Sequence, residues 1–418
     1  MRLIPALSAL ALACAAPVAC LAQSPAPRVR PGIEVLLDKR LETIRGKNIG
    51  LVTHPAGVTS RLESTIDVLF RDPRVHLKVL MGPEHGVRGE QWAGQAVSDQ
   101  ADPATGLPVY SLYGERMKPT PAMLKGLDVL VYDIQDVGAR SYTYLNTLVG
   151  VMSAAAEAGI PVVVLDRPDP LGGERVEGDV PAPAWRRSSV CALPIPYDYG
   201  MTPGELALMI NGEGWLPGGR RAALTVIPMQ GWRRRMSFAD TGLPWVAPSP
   251  HMPRPESAFY YSATETLGEL GVLNEGVGLP QPFEMLGAPW INERAFAAKL
   301  NALKLPGIHF RPVVYKPFYG THRKALCRGV QLHMLDARRA PWSAVQFYAM
   351  EALRELYPGR ALWDGADPGA AADFDSNACG PYLRVRLRSG AKTADLLKSW
   401  AKKDAAFKKA REKYLLYP

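Results

Sequence analysis

The stretch "GPEHGVRG" (82–89) sets Glu84, His85 and Arg88 within five positions, directly after the apolar run "LKVLM". An acid, an imidazole and a guanidinium side by side can donate a proton, hold a ligand and pair with an anion. Three other apolar runs end in the same way. "NIGLVTHPAG" (48–57) presents His54, and "LDVLVYDIQDVGARSYTY" (127–144) presents Asp133, Asp136, Arg140 and Tyr142. "IPVVVLDRPDPLGG" (160–173) presents Asp166 and Arg167, and Glu275 and Glu284 follow much later in the chain. Converging carboxyl groups suit acid–base hydrolysis. A glycoside needs one carboxylic acid held protonated against its leaving oxygen and a second carboxyl in a different environment. Glu84, between Pro83 and a Gly86 turn, suits the acid, because burial at a strand end raises proton affinity.

Plainer readings stand beside these. An isolated acid at a strand end more often caps a loop or joins an ion pair. Arg88, Arg140 and Arg167 each follow a strand-end acid by one to four residues, and pairing with that acid is their simplest role. The alternative is a guanidinium reserved for a substrate carboxylate, which arginine binds through two parallel hydrogen bonds. His54 and His85 with Asp133 and Asp136 have the right atoms for a metal but not the spacing, so no metal and no cofactor is expected. Among the aromatics, Tyr142, Tyr144, Tyr197, Tyr199, Trp245 and Trp290 divide between sugar stacking and core.

The elements that must position these residues alternate. Helix-compatible stretches ("ESTIDVLFRD", "TPAMLKGL" and "LNTLVGVMSAAAEAG", the last closed by Gly159) lie between the apolar runs, and "AALTVIPMQGW" offers a fifth strand. Continuously apolar strands separated by helices imply a parallel sheet covered on both faces. The expected class is α/β, with a Rossmann-like parallel-sheet N-terminal domain over 48–252 whose strand ends face one shared crevice. Past the proline-dense "PSPHMPRP" the texture changes, and a smaller α+β C-terminal domain is expected over 253–418, completing the cleft. Its last stretch, "KTADLLKSWAKKDAAFKKAREKYLL", puts Leu396, Leu397, Trp400 and Phe407 on one helical side, with the lysines as a solvated face.

Composition narrows the function. The 418 residues are 47% hydrophobic and 21% charged, an ordinary globular balance with room for two domains. A net charge of +9 is compatible with an anionic wall polymer or with simple solubility, and nothing points to nucleic acid. No P-loop, no GxGxxG after the first strand, no GxSxG elbow and no HExxH is present. "MRLIPALSALALACAAPVACLA" (1–22) reads as a secretory signal peptide cleaved after Ala22, placing the mature protein in the periplasm or outside the cell. Cys20 would be the lipid-anchored alternative, though Pro17 stands where a lipobox wants leucine. Residues 23–47 read as a flexible lead-in, and no second stretch reaches membrane length. Three cysteines remain (Cys191, Cys327 and Cys379), with no metal spacing. One disulfide is allowed, of unreadable pairing, and the thiols look incidental.

Taken in order, "GLVTHPAGVT", "GPEHGVRG", "GLPVYSLYG", "LDVLVYDIQDVGARSYTY", "VVLDRPDPLGG", "VEG", "PIPYDYGMTPGELA", "PSPHMP" and "LNEGVGLPQPFEMLGAPWI" resemble the NamZ-like exo-β-N-acetylmuramidase family, from about residue 48 to the C-terminus. The resemblance implies a peptidoglycan hexosaminidase that releases N-acetylmuramic acid from the non-reducing ends of wall fragments and muropeptides. It also implies catalytic glutamates in a cleft between two domains. Carried over, Glu84 is the acid. Asp133, Asp136 and Glu275 are candidates for its partner, with Glu177 of "VEG" as a further one. His54, His85, Arg88, Arg140, Tyr142, Arg167 and Asn274 are expected to bind substrate, with an arginine receiving the lactyl carboxylate that distinguishes muramic acid from glucosamine. Two rivals stand: a metal-dependent hydrolase of wall material, and a muropeptide-binding protein without catalysis. Oligomeric state is not legible.

Overall fold

In the computed structural model, the described residues are 29–92, 94, 99–182, 190–360, 362–363 and 369–418. The expected signal peptide lies outside them. Seven strands form one sheet: β1 (Asn48–Thr53), β2 (His76–Gly82), β3 (Gln100–Ala101), β4 (Pro108–Ser111), β5 (Val129–Asp133), β6 (Val162–Leu165) and β7 (Leu224–Ile227). Their order is β3-β4-β2-β1-β5-β6-β7, parallel except for β3, which runs against β4. β5 and β6 are buried at every residue, because helices cover both faces. The edge pair β3/β4 is too short to show a period, so the sequence does not announce it.

The connecting helices fall at Thr65–Arg71, Pro121–Leu124 and Tyr144–Ala158. Ser64 caps the first by accepting the Ile66 amide, and Gly159 ends the third with φ of 68°, a left-handed turn that costs glycine nothing. The smaller domain carries an antiparallel sheet of β8 (Met285–Ala288), β9 (Ile308–Tyr315) and β10 (Cys327–Met334), with β10 central. Helices at Ser257–Gly268, Glu293–Asn301, Trp342–Leu356 and Thr393–Arg411 pack around it. One apolar cluster runs from Tyr132 and Tyr144 through Tyr197 to Phe259, Phe347 and Trp400, so the two sheets share a core.

Two expectations change here. The lead-in is folded from Val29 onward: Gly32–Lys39 is a helix that buries Ile33 and Leu36, and Arg30 pairs with Gln230 through backbone hydrogen bonds. The cysteines are not all incidental. Cys191 and Cys379, 188 residues apart, form a disulfide between a loop after the large sheet and the helical end of the chain, while Cys327 is free and buried. The last long helix buries Leu396, Trp400 and Phe407 as expected. Not all of its basic groups face solvent, since Arg411 turns inward to the carbonyls of Tyr199 and Gly200 and Lys403 reaches Asp179. Among the described residues no helix is long and apolar enough to cross a membrane.

Behind the large sheet, buried acids give stability a pH dependence. Burial pushes Asp136, Asp166 and Asp169 up to about 6, 7 and 8. A raised carboxyl holds its proton more tightly in the folded state than in the unfolded chain. Its favourable contribution is therefore complete at low pH and lost as pH rises through the folded value. His54, lowered to about 4 by burial, works the other way below its ordinary value of 6.5. Three carboxyls outweigh one imidazole, so the melting temperature should fall as pH is raised from 5 to 8. A melting temperature that rises across that range would mean these acids are not buried as described.

Candidate active site

Where β2 ends, the chain makes a tight turn in which His85 has φ of 75° and Gly86 φ of 80°. A non-glycine residue in that region costs on the order of 1–3 kcal/mol and persists only where its surroundings hold it. Here the His85 Nδ1 lies 3.1 Å from the Gln91 carbonyl. The turn aims Glu84 into an enclosed cavity of about 460 Å³ between the two domains. Its carboxylate is fixed at both oxygens: Oε1 accepts the Gly94 amide at 2.9 Å and Oε2 the Thr143 hydroxyl at 2.9 Å. Tyr113, in the loop after β4, lines the cavity beside Glu84, and burial together with that carboxylate pushes its hydroxyl up to about 12.

The segment after β5 supplies Ser141, Tyr142 and Thr143, and the crossing between the domains supplies Ser249 and His251. From the second domain come Tyr261, Glu265 and Glu269 on the helix Ser257–Gly268, Glu275 and Phe283 on the following loop, and Asp373 with Asn377 from the helix Ala370–Asn377. The Glu265 carboxyl is raised by burial and held back by hydroxyls of Tyr197, Ser141 and Thr266. Glu275 is pushed up to about 7, by burial first and by Glu265 second. Glu269 is raised as well. Its side chain stands partly open to the cleft, so neighbouring Glu265, Glu275 and Asp373 count for more than burial alone would suggest. No lysine or arginine lines this cavity among the described residues.

Of the residues singled out by sequence, the cavity gathers Glu84, His85, Tyr142 and Glu275. Tyr142 packs edge-on against Tyr144 and Tyr261. Asn274 stands behind it. Its amide donates to the carbonyls of Val277 and Thr321 and its Oδ1 accepts the Gly276 amide, which shapes the loop bearing Glu275.

The remaining candidates are engaged elsewhere. Asp133 is completely buried and takes two hydrogen bonds from Arg167, at 2.5 and 2.8 Å, and one from Thr65. Asp136 accepts the amides of Val137 and Gly138 and the Tyr199 hydroxyl. His54 is neutral, accepting the Ala56 amide at Nδ1 with Nε2 against Gln135. The arginines are spent too. Arg88 pairs with Asp102 and Asp67, Arg167 with Asp133, and Arg140 donates to the carbonyls of Asp179, Ile195 and Asn377. Glu177 pairs with Arg175, and Glu284 with Arg254.

The expectation of one crevice shared by all four strand ends is therefore corrected. Where parallel sheets of this kind usually receive ligand, near the ends of β1 and β5, only about 10 Å³ remains, lined by Val58, Gln135, Arg167 and Phe238. That is barely room for one water. The Asp133–Arg167 pair plugs it, and the working space lies to the side, reached from β2 alone among the four ends.

Glu265, Glu269, Asp373, Tyr113 and His251 were not singled out as site residues in sequence. A signal existed for three neighbours: Tyr261, Glu265 and Glu269 recur every four residues and so share one helical face. His251 sits in "PSPHMP". Tyr113 and Asp373 carry no such mark.

A parallel α/β domain whose strand-end acid meets glutamates of a second domain across an enclosed cavity defines a two-domain enzyme of the carboxylate glycosidase class. The chain belongs to the exo-β-N-acetylmuramidase NamZ family: residues 49–256 match the family's N-terminal domain and 259–417 its C-terminal domain. It is 42% identical over 391 residues to the peptidoglycan β-N-acetylmuramidase NamZ of Bacillus subtilis (strain 168), covering 94% of this chain and 92% of that protein. Two solved structures of DUF1343 family proteins from Bacteroides fragilis NCTC 9343 share the fold. One has a TM-score of 0.89 at 45% identity, covering 94% of this chain and all of that one. The other has a TM-score of 0.74 at 28% identity, covering 93% and 99%.

Proposed function

We propose that this protein is an exo-acting glycoside hydrolase that releases N-acetylmuramic acid from the non-reducing ends of peptidoglycan fragments, with Glu84 as the general acid. The observation that carries this reading is the doubly anchored Glu84 carboxyl opening into the interdomain cavity, in a chain of this family. A cavity of about 460 Å³ is the size of a small-ligand site, and walls from both domains suit a chain terminus better than a strand passing through.

Specificity for the muramic sugar needs a receiver for its lactyl carboxylate. With Arg88, Arg140 and Arg167 engaged elsewhere, His85 and His251 fill that role. Burial and the proximity of His85 lower the proton affinity of His251, so an anion between the two rings would favour protonation of both. His251 is oriented by the Tyr319 hydroxyl, 3.0 Å from its Nε2. Rates on a chromogenic N-acetylmuraminide and its N-acetylglucosaminide counterpart test the reading. The muraminide should be preferred, and His251→Gln should narrow the gap about tenfold, as expected for losing one charge-assisted hydrogen bond. Equal rates on the two sugars in the wild type would refute muramidase specificity, and internal cuts in intact wall would refute the exo mode.

We further propose that the protein works in an oxidising compartment after export. The signal-peptide-like first 22 residues support this, as does the Cys191–Cys379 disulfide, a bond that a reducing cytosol disfavours. Mass spectrometry of the protein isolated from its own cell should find the chain beginning at Gln23 with that disulfide intact. A full-length, reduced cytosolic protein would contradict it.

A further inference from the structure

Given a muramidase that uses Glu84, the identity of the second carboxyl decides the stereochemistry. We propose that Glu265 is that group and that it acts as the base for an attacking water, which makes the enzyme inverting.

The argument begins with orientation. A base must be held in one place before the reaction starts. Glu265 is buried, and its Oε2 accepts three hydroxyls: Tyr197 at 2.7 Å, Ser141 at 3.1 Å and Thr266 at 3.1 Å. All three bonds land on Oε2, so Oε1 stays free of them while the carboxyl lines the cavity. Glu269 and Glu275 share the space, but no side chain of the described residues donates to either. They tune the charge of the site without a fixed direction of their own.

The same turn then ties Glu265 to Glu84. Thr143 donates to Glu84 and Ser141, two residues earlier, donates to Glu265, with Tyr142 between them lining the cavity. Two residues of chain span at most about 7 Å, so the turn holds the acids as a pair. Their environments differ in the way the chemistry requires. Glu84 is reached by one backbone amide and one hydroxyl, whereas burial raises the proton affinity of Glu265. High proton affinity suits a base. It would be a disadvantage in a nucleophile, whose carboxylate must later leave C1.

In the step itself, Glu84 gives its proton to the glycosidic oxygen as the C1–O bond breaks and its electron pair moves to that oxygen. On the opposite face a water forms a bond to C1 and passes a proton to Glu265. The sum is one water consumed, and muramic acid leaves as the α-anomer from a β-linked bond. The resting state returns when Glu265 releases its proton to solvent and Glu84 regains one.

The test combines stereochemistry with rescue. Proton NMR of the wild type acting on an aryl β-N-acetylmuraminide should show the α-anomer first. Glu265→Ala and Glu265→Gln should slow turnover by about 10³-fold, within the range for losing a general base. Sodium azide should accelerate Glu265→Ala by occupying the vacated space and yield the α-glycosyl azide, an outcome that a structural role would not produce. The isosteric Glu265→Gln carries the kinetic test if the alanine variant fails to fold. First release of the β-anomer, a folded Glu265→Gln with more than a tenth of normal rate, or a folded Glu265→Ala that azide does not accelerate would each overturn the proposal. A wild type that leaves the muraminide uncut would instead defeat the functional reading beneath it.

Discussion

Glu84→Gln should retain the fold and lose turnover by about 10²- to 10⁴-fold on peptidoglycan fragments, the range for removing a general acid. The loss should be much smaller on an aryl muraminide whose leaving group needs no proton. The glutamine amide can still accept from Thr143 or Gly94, so neither the turn at His85 and Gly86 nor the melting temperature should move much. That separation of rate from stability makes the experiment decisive. A variant with near-normal rate on poor leaving groups would remove Glu84 from the acid role, and a loss equal on good and poor leaving groups would point to binding instead.

Asp133→Asn should do the reverse. Asp133 is fully buried and matched by both Arg167 nitrogens and by Thr65, so its loss leaves a guanidinium in the interior without its counter-charge. Breaking a buried pair from one side costs about 3–5 kcal/mol, and chemical denaturation should read a loss of that order. The turnover of the protein that remains folded should change only a few-fold, because this carboxylate faces the plugged crevice and not the cavity. If Asp133→Asn instead kept its stability and lost its rate, the crevice would be functional and the cavity assignment would need revision.

The contrast between these two acids shows what a sequence carries and what it does not. Both stand at the ends of apolar strands, and nothing local to either separates them. Periodicity made the strands legible, since β1, β2, β5 and β6 are buried on both faces and read as unbroken apolar runs. Punctuation made the helices legible, through Ser64 as a cap and Gly159 as a stop. Ordered motifs along nearly the whole chain carried the family, and with it Glu84. Those signals are local, or are strings that survive being read one residue at a time.

What only the tertiary structure decided is pairing across distance. Asp133 meets Arg167 from the next strand, 34 positions on, Arg88 meets Asp102 through a loop, and Cys191 meets Cys379 across 188 residues. Each pairing turned a chemically able group into a structural one, because a buried charge without a partner is too costly to keep. The same folding brought Ser141 of the first domain against Glu265 of the second and set that glutamate opposite Glu84. Residue types determined which side chains could act here. Solvation and partnership, which exist only once the chain is folded, determined which of them remain free to do so.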